Sequence, residues 1–141
     1  MKRTELNSRI IFQELGEVCW TNNHSFEVRT KFRTQLYLSP NTDSDFGKPT
    51  QVIIDEISVP ERFQRQGNAT KAMTALCQLA DKYQFRLDGG PIGFSETLWR
   101  DKFVEWVLRF GFEPDRSAFI PRVDDPAAFY VCRRPKPRVK T

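Results

Sequence analysis

The sequence is poor in the side chain that most often binds metals or activates a nucleophile. It contains one histidine, His24, which excludes a histidine-rich metal site. A Ser/His/Asp or Cys/His triad would have to rest on this single residue. His24 lies in the turn-like segment TNNHS, where a surface position is the simpler interpretation. We therefore expect no metal, and triad chemistry is disfavoured.

Cysteine and long apolar runs are also scarce. Cys19, Cys77 and Cys132 are an odd set of three without short CxxC spacing, which predicts free thiols in a reducing compartment. No stretch approaches the roughly 18–20 apolar residues of a membrane span. The start MKRTELNSR leads into polar sequence where a signal peptide would need an apolar run. These features predict a cytoplasmic protein with no membrane partner.

What the chain does contain is typical of one globular domain. Its 141 residues fall in the usual domain range of roughly 100–150. Hydrophobic residues make up 39%, and 12 Phe and 3 Trp supply large groups for a core. The formal charge of +4 suits partners that carry phosphate, whether a nucleic acid, an acidic surface or a phosphorylated cofactor.

Hydrophobic periodicity predicts a mixture of helices and strands. Steps of three to five residues predict a first helix from Thr4 to about Val18. The β-branched run QVIIDEISV predicts a strand over 51–59 that ends at Pro60, and a helical stripe follows Gly67 to about Tyr83. The runs 26–32 and 35–38 predict two short strands or one bent strand. Further predictions are strands at 85–87, 118–120 and 129–132, a loop at 40–50, and a helix at 99–110 followed by Gly111.

The most informative segment is VPERFQRQGNATKA, residues 59–72, where the predicted strand turns into the predicted helix. A helix N-terminus presents unpaired N–H groups and the positive end of the helix dipole. Gly67 at the turn would let a diphosphate approach the backbone closely, and Arg62, Arg65 and Lys71 could add charged contacts. The alternative is that Gly67 only relieves a tight turn and the basic side chains are solvated.

Gln64, Gly67 and Ala69 match the pattern (Q/R)xxGx(G/A) and so resemble the pyrophosphate signature of the GNAT acetyltransferases. IIDEISVP precedes the signature as the family's fourth strand would. WVLRFGFEP follows it like the family's helix that ends in a GF pair. Dinucleotide and P-loop sites fit less well, because no GxGxxG follows a strand and GGPIGF lacks the Lys-Ser/Thr ending.

The resemblance covers about residues 51–133 and implies an α/β (α+β) fold. Its central twisted sheet would be mixed but mostly antiparallel, splayed between the fourth and fifth strands, and flanked by helices. It implies one domain over 1–133 with a shortened N-terminal part, followed by a basic tail over 134–141. It also implies acetyl-CoA as co-substrate. The cofactor-binding residues that it implies are Ile57, Ser58, Val59, Gln64, Arg65, Gln66, Gly67, Asn68, Ala69 and Thr70.

The resemblance also implies the catalytic chemistry. The backbone N–H of Val59 would stabilise the oxyanion, and an amine acceptor would lose its proton to a carboxylate. Asp55 and Glu56 match the family's acidic pair. Strand alternation points them to opposite faces, so only one would reach the substrate, unless a β-bulge alters the facing. We favour Asp55 by position, keep Glu56 close behind, and place Asp88 third, behind a turn role in LDGG.

Two functions are compatible with the sequence. The first is an N-acetyltransferase whose acceptor is a primary amine of a protein or a small molecule. The second is a catalytically silent module that binds acyl-CoA or a macromolecule, because Val107 stands where the family often has a tyrosine acid. Exposed aromatics would allow a homodimer. A nucleic-acid version of the second function would use the tail residues Arg133, Arg134, Lys136, Arg138 and Lys140.

Overall fold

The computed structural model describes residues 10–21, 25–41, 50–60, 62, 66–92, 105–114 and 129–137. The predicted strand at 118–120, residues 99–104 of the predicted helix at 99–110, His24, and the tail residues Arg138 and Lys140 lie outside the described residues. Two of the predicted cofactor-binding residues, Gln64 and Arg65, also lie outside them.

The described strands form one sheet of seven, in the order β1-β2-β3-β4-β5-β7-β6. Strands β4 and β5 are parallel and every other pairing is antiparallel. The predicted mixed, mostly antiparallel fold is therefore confirmed. The bounds are β1 Gly16–Trp20, β2 Phe26–Thr30, β3 Gln35–Asn41, β4 Gln51–Ser58, β5 Arg86–Ile92, β6 Glu113–Pro114 and β7 Phe129–Arg133, with one long helix, α1, at Asn68–Tyr83.

The sheet opens between its fourth and fifth strands. Their parallel ladder runs from Gln51 opposite Arg86 to Ile54 opposite Gly89. Strand β4 continues to Ser58 and remains paired with β3 over that distance, whereas its described pairing with β5 stops at Ile54. This is the splay that the resemblance predicts.

Helix α1 connects the two parallel strands. A parallel pair needs such a crossover, and the carboxyl ends of both strands then lie at the same edge as the N-terminus of the connecting helix. The end of β4 and the start of α1 therefore meet at the edge where the sheet opens. This edge holds the predicted site.

The core covers one face of the sheet. Val28, Leu36 and Leu38 alternate with more polar neighbours and are completely buried. Phe12 packs against Phe26 and Phe85 with ring centroids 5.0 and 5.7 Å away, so truncating it to alanine should cost about 3–5 kcal/mol. Helix α1 buries one stripe against this face, formed by Ala72, Met73, Leu76, Cys77, Leu79 and Ala80.

The predicted first helix is wrong in its second half. Residues 10–12 are helical, 13–15 form a turn, and β1 begins at Gly16, so Val18 lies in a strand. Gly16 lies so close to β2 that an added Cβ would be 2.0 Å from the carbonyl oxygen of Arg29. Only glycine fits this approach. Val18 is buried, and a single buried valine satisfies a helical period and a strand equally well.

Two predicted strand ends are also wrong. Strand β3 continues through Ser39 and Pro40, because at Pro40 it pairs with β4 while its ladder with β2 ends at Leu38. The missing proline N–H is tolerated on that open side. Strand β5 continues past Gly89, where an added Cβ would lie 3.2 Å from Cγ2 of Val131. This glycine marks a close approach between strands and does not end β5.

Four other predicted elements agree with the structure, whereas strand β6 was not predicted. Strands at 26–32, 51–59 and 129–132 and the helix after Gly67 are confirmed within two residues at each end. Gly111 has φ 89° after the helical residues 105–108, as predicted for a residue that follows a helix. In the described part of the chain, no helix has both the length and the apolar character needed to cross a bilayer.

Candidate functional site

The N-terminus of α1 carries the predicted phosphate site, the anion cradle. Gly67 caps the helix with φ 78° and ψ 9°, a left-handed conformation that favours glycine. A Cβ added to Gly67 would meet no described residue within 4 Å, so none of them fills this side of the turn. The described first turn contains no acidic side chain, which leaves the positive end of the helix dipole uncompensated there.

The backbone of this turn follows ordinary helix geometry. The first intrahelical bond runs from the N–H of Lys71 to the oxygen of Gly67 over 3.0 Å. The N–H groups of Asn68, Ala69 and Thr70 precede it, so they belong to the first turn, whose donors point out of the helix along its axis. These three residues and Gly67 are therefore the described part of the predicted signature that can hold a phosphate.

A second segment braces the cradle. The indole Nε1 of Trp106 donates to Oγ1 of Thr70 over 2.9 Å, and the hydroxyl of Thr74 donates to the Thr70 carbonyl over 2.7 Å. On the entry side, Gln66 Nε2 donates to the Arg62 carbonyl over 3.2 Å. These bonds fix the turn from both sides, and no described residue fills the side of Gly67 on which a Cβ would lie.

The predicted pantetheine residues lie at the carboxyl end of β4. Ser58 pairs with Gln35, and Ile57 with Leu36, on the β3 side. Ile57 also packs against the core. Val59 follows directly and is half-buried. All three lie beyond the last β4–β5 pair, where the sheet opens.

The acidic pair lies on a β-bulge. Tyr37 pairs with Glu56 and Leu38 pairs with Ile54, so Asp55 has no opposite residue on β3. A bulge of this kind changes the direction of the side chains that follow it. Of the two predicted arrangements, strict alternation with the pair on opposite faces and a β-bulge that alters the facing, the structure has the second.

Both carboxylates lie on the polar face of the sheet. Ser39, which alternates with buried Leu38, donates from Oγ to Oδ2 of Asp55 over 2.5 Å. Glu56 stands opposite Tyr37 on the same face, and Tyr37 stands opposite Glu27 on β2. Asp55 and Glu56 are both exposed, so either of them can reach a substrate above this face.

The surroundings of Tyr37 raise the pKa of its hydroxyl. Partial burial raises the pKa of its hydroxyl, and the charges of Glu27 and Glu56 raise it further, against a smaller opposite effect of Arg29. The hydroxyl donates to Gln35 Oε1 over 3.4 Å. The sequence analysis missed Tyr37 and Ser39, because only the pairing of β2, β3 and β4 brings them beside the carboxylates.

Both carboxylate oxygens of Asp88, the third predicted base, are bonded to other side chains. Asp88 lies within β5, so the predicted turn role is wrong. Arg86 forms an ion pair with its Oδ1 at 2.7 Å, and the side-chain amide of Gln51 donates to its Oδ2. With both oxygens bonded, Asp88 is less suited to accept a proton from a substrate than Asp55.

The position of the family's tyrosine is an apolar core position here. Val107 is 3% exposed and packs with the central cluster. Tyr83 donates its hydroxyl to Glu14, at the opposite end of α1 from Gly67. Neither residue supplies an acid at the opening between β4 and β5.

A cavity of about 380 Å³ lies between α1 and the residues Phe110, Gly111 and Arg133. Arg133 borders it but is 5% exposed and makes two bonds to the carboxylate of Asp81, at 2.9 and 3.0 Å. The nucleic-acid version of the second function would need Arg133 in a phosphate-binding tail, but its guanidinium is bonded to Asp81 within the fold. Lys136 is tied to the same carboxylate by its backbone N–H at 2.9 Å.

No group of three potential metal ligands is found among the described residues. The cysteines are free thiols, and Cys77 is buried in the core. Burial raises the pKa of the Cys77 thiol to about 11, so it is a poor nucleophile at neutral pH.

No family model matches the chain, and no curated protein matches it. Among solved structures it is similar to Ard1 from Thermoplasma volcanium, at 20% identity and a TM-score of 0.48, over 80% of this chain and 64% of that one. It is also similar to a Bacillus subtilis acetyltransferase in complex with CoA, at 15% identity and a TM-score of 0.46, over 87% of this chain and 79% of that one.

The chain thus spans less than two thirds of the length of the Thermoplasma protein. Among the described strands, the order and the parallel pair β4–β5 agree with the sheet that the resemblance to the GNAT acetyltransferases predicts.

Proposed function

We propose that the protein is a GNAT-type N-acetyltransferase that transfers acetyl from acetyl-CoA to a primary amine of a protein or a small molecule. The observation that carries the proposal is the glycine-capped N-terminus of α1 at the edge where β4 and β5 separate. A phosphate cradle and an opening in the sheet at the same edge suit a ligand with a diphosphate and a long arm.

The described residues fit acetyl-CoA by position. The first turn of α1, from Gly67 to Thr70, would hold the diphosphate, because no described residue lies within 4 Å of a Cβ added to Gly67. The pantetheine arm would follow the end of β4, along Ile57 and Ser58. When bound, acetyl-CoA supplies an activated acetyl group as a thioester. Everything else in the reaction is then positioning and proton transfer by this chain.

The carboxylates on the β-bulge would take the proton of the amine acceptor. An amine attacks only when its nitrogen lone pair is unprotonated, so a nearby carboxylate must take the proton, directly or through a water. Asp55 and Glu56 both face the polar side of β4, and we assign the base to Asp55. The N–H of Val59 would donate to the carbonyl oxygen as negative charge develops on it.

The leaving thiolate needs little help from the protein. A thiol has a reference pKa of about 8.5, so the thiolate is a stable leaving group near neutral pH and can take its proton from water. A core valine at position 107 is compatible with this route. The same valine favours the second candidate, a silent module that binds acyl-CoA without turnover.

Calorimetric titration with acetyl-CoA tests the cofactor site. Gly67→Ala adds a methyl group on the side of the cradle that no described residue fills, and we expect it to weaken binding at least about tenfold, or about 1.4 kcal/mol. Gly111→Ala is the matched control: Gly111 also has a left-handed φ, 89°, and its added Cβ would make only an ordinary contact, 3.7 Å from Arg133 Nε. Both variants carry the same backbone strain, so only Gly67→Ala should lose affinity.

Mass spectrometry of acceptor mixtures then tests turnover. Peptides with free N-termini, lysine peptides and polyamines are incubated with acetyl-CoA, and acetylated products are counted with wild type and with Asp55→Asn. Products that disappear in the variant support the transferase. Saturable binding without any product favours the silent module, and absence of binding contradicts both.

A further inference from the structure

A chain of hydrogen bonds runs from the residue before β2, through β3, to the Asp55 carboxylate on the bulge of β4. The hydroxyls of Ser25 and Ser39 lie 2.7 Å apart, and Ser39 Oγ lies 2.5 Å from Oδ2 of Asp55. Ser25 precedes β2, Ser39 lies in β3, and Asp55 lies in β4. The three side chains therefore come from separate elements and meet only in the folded sheet.

The direction of the proton donation follows from counting protons. An ionised carboxylate only accepts, so Ser39 must donate its single hydroxyl proton to Asp55. With that proton used, the contact between the serines requires Ser25 to donate to Ser39. The chain thus points one way, from Ser25 through Ser39 to Oδ2 of Asp55.

The hydrogen bond donated by Ser39 orients the Asp55 carboxylate. Asp55 is exposed and has no opposite residue on β3, so its side chain would otherwise rotate freely. Holding Oδ2 against β3 turns the other oxygen, Oδ1, outward. Among the described residues no hydrogen bond to Oδ1 is found. The Glu56 carboxylate instead stands opposite the aromatic side chain of Tyr37.

We propose that Ser39, supported by Ser25, is a positioning residue that holds the Asp55 carboxylate with Oδ1 directed at the amine acceptor, so that Asp55 and not Glu56 is the base. The proposal rests on the proposed acetyltransferase function. A base displaced by about 1 Å can cost on the order of a hundredfold in rate, so the loss of one orienting bond has a measurable effect.

The test is steady-state kinetics on Ser39→Ala and Ser39→Thr. Ser39→Ala should lower kcat about 10- to 100-fold and leave the KM and Kd for acetyl-CoA unchanged, because the cradle is not touched. Ser39→Thr keeps the hydroxyl and suits a strand, so it should restore most of kcat. If Ser39 had only a structural role, Ser39→Ala would not lower kcat while leaving KM unchanged, and Ser39→Thr would not restore kcat.

Two further variants sharpen the result. Thr30→Val removes a hydroxyl whose bonds to Thr34 and Phe32 lie in the turn between β2 and β3 and leaves the bond to Asp55 intact, so kcat should stay near wild type. In an Asp55→Asn background, Ser39→Ala should cause no further loss, since the group that it orients can no longer take a proton.

The outcomes distinguish the positioning role of Ser39 from the proposed acetyltransferase function. Wild-type turnover that survives Ser39→Ala but is abolished by Glu56→Gln would overturn the positioning role and leave the acetyltransferase intact. Acetyl-CoA binding without turnover on any amine would overturn the proposed function and the positioning role with it. Loss in Ser39→Ala with rescue by threonine supports both.

Discussion

The indole Nε1 of Trp106 donates a hydrogen bond to Oγ1 of Thr70 over 2.9 Å. This bond joins the helical segment 105–108 to the first turn of α1, the turn that forms the anion cradle. Trp106 also packs edge-on against Phe110, with ring centroids 5.1 Å apart. Because the Thr70 oxygen accepts from the indole, the Thr70 hydroxyl proton can be directed elsewhere, including towards a phosphate.

Trp106→Phe should weaken acetyl-CoA binding about 3- to 10-fold while keeping most of the ring packing, because it removes one bond that fixes the cradle. Calorimetry measures the effect. The matched control is Trp20→Phe, since Trp20 is also partly buried and packs on a phenylalanine, at 5.1 Å, but its Nε1 has no partner among the described residues. Equal affinities in wild type and Trp106→Phe would contradict the bracing role.

The sequence predicted the parts of the site that depend on local chain properties. The β-branched run of β4 and the stripe of α1 follow from residue type and period, and Gly67 marks the left-handed turn between them. Strand β4, Gly67 and α1 follow one another in the sequence and together contain the predicted cradle. A signature read within one short segment could therefore indicate the cofactor.

The catalytic face could not be predicted in the same way. Which face Asp55 presents depends on the extra residue in the pairing of β3 with β4, and no local pattern fixes that register. Ser39 was predicted to follow the end of its strand, so its contact with Asp55 could not be foreseen. The burial of Arg133 is likewise a long-range effect, because its partner Asp81 lies on α1.

The ion pair between Asp81 and Arg133 should be a main contributor to stability. Arg133 is 5% exposed, bonds both carboxylate oxygens, and also donates to the Phe110 carbonyl over 2.7 Å. Asp81→Asn should therefore reduce the free energy of unfolding at pH 7 by about 1.5–3 kcal/mol, measured in urea. Arg29→Gln, which removes an exposed pair with Glu27, should shift the midpoint little.

The pH dependence of that contribution has a defined sign. Partial burial alone would raise the pKa of Asp81, but the hydrogen bonds from Arg133 and Lys136 and their charges outweigh it, so the pKa lies below 3.8. A folded-state pKa below the unfolded value means that the stabilisation is present above the unfolded pKa and is lost as pH falls through the folded one. The stability difference between wild type and Asp81→Asn should hence shrink below about pH 4. A constant difference down to pH 2 would contradict this linkage.

The first residues of the predicted basic tail, 134–141, should contribute to stability, because Lys136 is bonded to Gln84 and to Asp81. Gln84 Nε2 donates to the Lys136 carbonyl over 2.7 Å, and Arg133 is buried, so a chain cut after Cys132 loses both anchors. We expect that truncation to lower the thermal midpoint, whereas a chain cut after Pro137 should melt like the full chain and bind acetyl-CoA equally well. Loss of acetyl-CoA affinity in the second truncation alone would give the tail a binding role that we do not assign to it.

Cys77 should be the slowest of the three thiols to react. With burial raising its pKa to about 11, only about one Cys77 in a thousand is a thiolate at pH 8. Cys19 and Cys132 are half-buried and should react first with a disulfide reagent. The reaction is followed by absorbance in the native protein and again in urea, where all three should react together. Three equal native rates would contradict the burial of Cys77.

The most direct test of the central claim is to map acetyl-CoA onto the chain by amide chemical shifts in a ¹⁵N-labelled sample. The account predicts saturable shifts at the N–H groups of Gly67, Asn68, Ala69 and Thr70, together with those of Ile57 to Val59. Shifts that cluster instead around the cavity of Asp81, Arg133 and Lys136, or no shifts at millimolar acetyl-CoA, would contradict a cofactor site at the start of α1.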